Sequence, residues 1–139
     1  MAEFAIVAGL FFTMTVGIIE FGRLLYTHNA LTDAARRGAR YAVVHKEADK
    51  PCVKNVVVYG ETHVDPATCA PTGAALVKGL TTSNITVTYA GVGASVYGPN
   101  VGTVTVSISS TFTLSIPFAA RTITMPTYTS TLTAESAGE

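Results

Sequence analysis

With 139 residues and 14.5 kDa, the chain has room for one domain and one extended element, which excludes a pair of enzyme domains. Only 13% of residues are charged and the mean hydropathy is +0.39, so the chain is too apolar to be disordered and much of its surface must meet lipid or other subunits. Nine basic residues balance nine acidic ones, leaving no net field to grip a phosphate backbone and no reason to expect a nucleic-acid partner.

The chain opens on sixteen uncharged residues, Phe4 to Ile19, between Glu3 and Glu20. As a helix rising about 1.5 Å per residue they span about 24 Å, and continuation through Phe21, Leu24, Leu25 and Tyr26 reaches the roughly 30 Å of a hydrocarbon core. Glu20 and Arg23 then fall near the boundary, three apart on one face, where they can pair. The strong membrane-formers in the run contribute about 4 to 5 kcal/mol toward insertion, enough for a single-pass anchor. A cleaved signal peptide does not fit, because a basic leader and a small-residue cleavage site are not evident.

The helical pattern also runs on to about His45, predicting one helix of roughly 42 residues and about 63 Å. Asn29, Asp33, Arg36, Arg37 and Arg40 form one polar stripe, while Leu24, Leu31, Ala35, Gly38 and Ala42 line the other side. The inner half is therefore apolar all round and the outer half amphipathic. The arginines beyond the apolar run would hold that end in the cytoplasm. Cys52 and Cys69 argue the opposite: they enclose sixteen residues without metal-site spacing and are expected to form a disulfide in an oxidising compartment. Export then requires a more basic leader ahead of residue 1 or other machinery that sets the topology.

The charged stretch ending at Pro51 reads as the helix stop, dividing the chain into an anchor helix (1–46) and a β-rich head (47–139). Beyond it the period becomes two. Asn55 to Tyr59 reads as a β-branched strand, Ile85 to Tyr89 and Val104 to Ile116 alternate with Thr and Ser, and Thr122 to Thr133 continues in that style around Pro126 as an edge strand or bulge. Pro71 to Leu80 reads as a short helix, and the glycine-rich segment 91–102 as a hairpin connection. The class is α+β: a long N-terminal helix whose amphipathic half covers the apolar face of a small antiparallel sheet, leaving a Thr-rich face outside.

No catalytic or cofactor motif occurs. Glu61, His63 and Asp65 could be imagined around a metal but read better as solvated polar groups, so neither metal nor cofactor is expected. Asn84-Ile85-Thr86 fits a glycosylation sequon.

Three pieces of this sequence resemble TadE-like proteins, pilin-like subunits of the tight-adherence branch of type IV pili: Glu3-Phe4 opening the apolar run, Glu20-Phe21-Gly22-Arg23 closing it, and Ala34-Ala35-Arg36-Arg37-Gly38-Ala39-Arg40-Tyr41 beyond. The resemblance covers about the first third of the chain. It implies a structural subunit, not an enzyme: an inner-membrane precursor trimmed by a prepilin peptidase and extracted by the pilus assembly machinery into a helical homopolymer at the cell surface. The alternative is a minor TadE-like subunit that stays anchored and primes assembly. In that family a glutamate stands fifth in the mature chain; here it is third, which implies two residues ahead of Met1 or different processing. Glu3 would pair with a neighbouring subunit's α-amino group, and Phe4, Val7, Phe11, Phe12, Ile18, Ile19, Glu20 and Arg23 would pack between subunits.

Overall fold

The computed structural model describes residues 2–45, 47–65, 67–90, 94–95, 98–99, 103–116 and 119–133. Helix α1 runs unbroken over Ala2–Val43, 42 residues with Glu3 in its first turn and Arg40 in its last, both favourable toward the helix dipole. Its end is closed by side chains: the His45 ring Nδ1–H donates to the Tyr41 carbonyl (2.7 Å) and the Tyr89 hydroxyl to that of Ala42 (3.2 Å).

Helix α2 (Lys50–Tyr59) follows after a single 3-10 turn, so Pro51 starts a helix rather than stopping one. The expected strand at Asn55 to Tyr59 is therefore helical. Pro51 occupies the first turn, where its missing N–H costs nothing, and Gly60, at φ 86°, closes the other end with its N–H on the Val56 carbonyl. Val53, Val56 and Val57 recur at helical spacing and are buried, Val53 and Val57 in the core shared with α1 and the sheet, and this burial outweighs the weak helix propensity of valine.

Residues 71 to 80 are irregular, not the expected helix. Their amides are committed outward: Thr72 N–H donates to the His63 carbonyl and Leu76 N–H to that of Val58, while Val64 and Pro71 form an isolated bridge. Val77 and Leu80 anchor the segment in the core.

Seven strands follow: β1 (Ile85–Ala90), β2 (Ala94–Ser95), β3 (Gly98–Pro99), β4 (Thr103–Ile108), β5 (Thr111–Ile116), β6 (Ala119–Thr124) and β7 (Tyr128–Thr133). They form three antiparallel sheets, not one: β1-β4-β7, β2-β3 and β5-β6. Segment 91–102 joins the antiparallel neighbours β1 and β4 and carries the short β2-β3 pair; residues 91–93, 96–97 and 100–102 lie outside the described residues. The run from Thr122 to Thr133 is broken at 125–127, where Pro126 has no N–H for a ladder, so its two parts enter different sheets. In the main sheet Val87, Val106 and Ser130 share one face and Thr105 and Thr131 the other, whose hydroxyls meet at 3.0 Å. The Thr-rich face is outside, and α1 covers the opposite one through β4 and β7.

That cover depends on small residues. Ala35, Gly38, Ala39 and Ala42 are buried on one face of α1, and a Cβ added at Gly38 would overlap Val57 Cγ2 and touch Val106. Gly38→Ala is accordingly expected to lower the unfolding free energy of the full chain in mild detergent by about 1 to 3 kcal/mol, measured by urea titration, because two packed elements must separate to admit the methyl.

Candidate functional site

The outer half of α1 is integrated in the head, with Leu31, Ala34 and Ala39 among its innermost residues. Among the described residues the inner half is largely bare, with partial cover toward residues 15–17. Phe4 is 79% exposed and Ile18 73%, Val7, Phe11, Phe12 and Ile19 beside them are exposed, and so are Ile6 and Leu10 on the opposite side of the rod. This is one helix long and apolar enough to cross a membrane. Its hydroxyls are satisfied within the helix, Thr13 donating to the Gly9 carbonyl and Thr15 to that of Phe11, both at 2.8 Å, as an apolar surrounding requires. Glu3 lies exposed in the first turn.

The two halves meet at Glu20. Only 6% exposed, it is the one buried charged residue among those described. Arg23 pairs with its carboxylate from the next turn, the Ser115 N–H of β5 donates to Glu20 Oε2 (3.3 Å), and the Arg23 guanidinium lies 5.5 Å from the centre of the Phe112 ring. The pairing at three-residue spacing was readable from sequence; the contact with β5, 95 residues away, was not. Glu20 and Arg23 thus have partners inside their own chain. One turn farther, His28 Nδ1 and the Tyr128 hydroxyl of β7 lie 2.9 Å apart, and burial raises the Tyr128 pKa above its ordinary value. Sequence reading passed over both, because nothing local links positions a hundred apart.

Cys52, in the first turn of α2, is joined to Cys69 by a disulfide with 5.0 Å between the Cα atoms. The loop between them is shaped by Asp65, whose carboxylate accepts the Ala67 N–H (2.8 Å) and the Thr68 hydroxyl (2.9 Å). The Ala67 amide first, then Thr68, holds the Asp65 pKa below the ordinary aspartate range, so its contribution is present above that range and lost as pH falls through the lowered value. Asn55 Nδ2 donates to the Cys69 carbonyl, holding the loop against α2 at a residue whose φ of 58° is unusual for a side-chain-bearing position. Glu61, His63 and Asp65 form no metal-binding group among the described residues. Asn84 is half-buried, and its Oδ1 accepts the Thr81 N–H and hydroxyl, a turn-forming role that the sequon concealed.

The architecture is thus a long helix that is apolar and largely bare over its inner half and packed into a small α+β head over its outer half, with a length and composition that suffice to cross a membrane. Residues 1–40, almost the whole of α1, match the model of the family described as TadE-like protein. No curated protein and no solved structure matches the chain.

The two halves of α1 predict opposite mutational outcomes. Leu31→Ala should lower the stability of the head by about 2 to 5 kcal/mol, and Ile18→Ala should leave it within about 0.5 kcal/mol, in urea unfolding followed by near-ultraviolet circular dichroism. Replacing Cys52 and Cys69 together by Ala should cost about 3 kcal/mol in the same assay, since a short closed loop is freed in the unfolded chain.

Proposed function

We propose that the chain is a structural pilin subunit, with no catalytic role, that is held in the inner membrane by the inner half of α1 and polymerises through that same surface into an extracellular filament. The observation that carries this reading is the bare apolar rod at the N-terminus of a helix that is otherwise fully integrated in a head. Such a surface is stable only in lipid or against other apolar helices. In this reading residues 1–46 are the anchoring and filament-core segment and 47–139 the head, displayed at the cell surface. Prepilin peptidase and the pilus assembly machinery are its transient partners, copies of itself its lasting ones. The TadE-like match of residues 1–40 supports a pilus-related role, and equally supports the alternative of a minor subunit that stays anchored and primes assembly.

Glu3 provides the test. A carboxylate on an apolar rod is costly unless paired, and in a stack of parallel helices the available cation is a neighbour's α-amino group. Glu3→Gln keeps the shape and removes the charge. Membrane levels of the precursor should be unchanged or higher, while sheared filaments should be lost, because leaving the neighbour's ammonium buried and unpaired costs about 3 to 5 kcal/mol per subunit. Undiminished filaments at equal membrane levels would remove the pairing role. Filaments with a regular rise built from this chain would establish the major subunit, whereas filaments lacking it would favour the priming role.

A further inference from the structure

The underside of the head carries a cleft of about 660 Å³ between α1, the turn at residues 76–79 and strand β5. Its helix wall is Arg23, Tyr26 and Thr27, and its opposite walls include Lys78, Thr111 and Thr113. The turn is shaped to present Lys78. Leu80 N–H donates to the Val77 carbonyl (3.1 Å), Val77 and Leu80 are buried, and Gly79 takes the left-handed φ of 84° that the third position of a type II turn demands. Lys78 is left exposed at the tip and has no ion-pair partner among the described residues. The hydroxyls of Thr111 and Thr113 are likewise exposed and, among the described residues, unbonded.

The level of this cleft on the rod is decisive. Counted from Phe4, where the apolar run opens, about 20 residues at 1.5 Å each cross the hydrocarbon core, which ends near Arg23, and the headgroup layer occupies roughly the next 5 to 8 Å, the span of Arg23 to Thr27. The head reaches down to this level, since Ser115 of β5 touches Glu20. Phe21 and Tyr26, both at least 60% exposed, stand where interfacial aromatics belong, and Leu76 beside them is also exposed. Arg23 and Lys78, offset by Glu20, leave a single positive charge, which matches one phosphodiester.

We propose that this cleft binds the headgroup of an anionic phospholipid while the chain is membrane-anchored. The phosphodiester lies between the Arg23 guanidinium and the Lys78 ammonium, the Thr111 and Thr113 hydroxyls donate to its oxygens or to the glycerol beyond, and the acyl chains follow the bare inner half of α1. The proposal rests on the anchored reading above. It adds that the head is seated on the bilayer by a chemical preference, which must be released when the subunit leaves the membrane.

The test uses the full chain reconstituted in vesicles of equal parts phosphatidylcholine and phosphatidylglycerol. Resistance to alkaline carbonate extraction reports the anchor. Mild detergent extraction and quantitation of retained lipid report the site. The wild type should retain phosphatidylglycerol in excess over phosphatidylcholine. Lys78→Gln should lower that excess about fivefold, the worth of one basic residue near a headgroup, while Lys78→Arg preserves it. Lys54→Gln, which removes the same charge from α2, should leave it unchanged. Equal retention of the two lipids, or equal effects of Lys78→Gln and Lys54→Gln, overturns the site. Displacement of the lipid by millimolar inorganic phosphate also overturns it, assigning the cleft to free phosphate instead. A chain that fails to pellet after carbonate refutes the anchor; one that pellets without headgroup preference refutes the site alone.

Discussion

The close approach of α1 to α2 and β4 is the constraint on which the rest of the molecule depends. Ala35, Gly38, Ala39 and Ala42 present so little side chain that Val57 and Val106 lie directly against the helix backbone. Buried between a sheet and a second helix, this seam makes the outer half of a long rod the central element of the head. On the opposite stripe Asp33, Arg36 and Arg40 are exposed and Arg37 is half-buried, and the stripe's one ion pair among the described residues joins Asp33 to Arg37 at 3.4 Å. Exposed pairs of that kind contribute at most about 1 kcal/mol, so the seam and not the stripe holds the helix in place.

Because α1 is continuous, a head gripping its outer half fixes the direction in which the inner half projects. Glu20 marks the changeover. A buried carboxylate is tolerated there because Arg23 and the Ser115 amide both address it, and Phe112 covers the guanidinium. Among the described residues the rod below Glu20 is largely bare, with partial cover at residues 15–17, so its apolar surface suits lipid or other apolar helices. The Cys52–Cys69 bridge acts at the other end of the head, tying the start of α2 to the loop that follows it.

The long helix, its division into a bare and a packed half, and the alternating strands were legible because each is written in a period, 3.6 or 2, that local sequence carries in full. Helix α2 is not legible as a helix in the sequence because its valine run favours a strand and Pro51 suggests an end; the signals that could have found it are Pro51 and Gly60, nine residues apart at the two ends of a helix. The segment 71–80 looks helical from Pro71 at its start and Gly79 near its end, yet its Thr72 and Leu76 amides serve His63 and Val58. Such hydrogen bonds have no local signature. The contacts of Glu20 with Ser115 and of His28 with Tyr128 were equally hidden, being made by topology, and so was the cleft beneath the head, whose walls come from three separate stretches of chain.

The central claim is that one helix serves two environments, its outer half being part of the head's core and its inner half serving only contacts outside the chain. The most direct measurement is the thermal melting and vesicle partitioning of a chain truncated before Glu20, beside the full chain. The account predicts a cooperative transition within a few degrees of the full chain's and no pelleting with phosphatidylcholine vesicles. A truncated chain that melts without cooperativity, or still pellets with those vesicles, would contradict it.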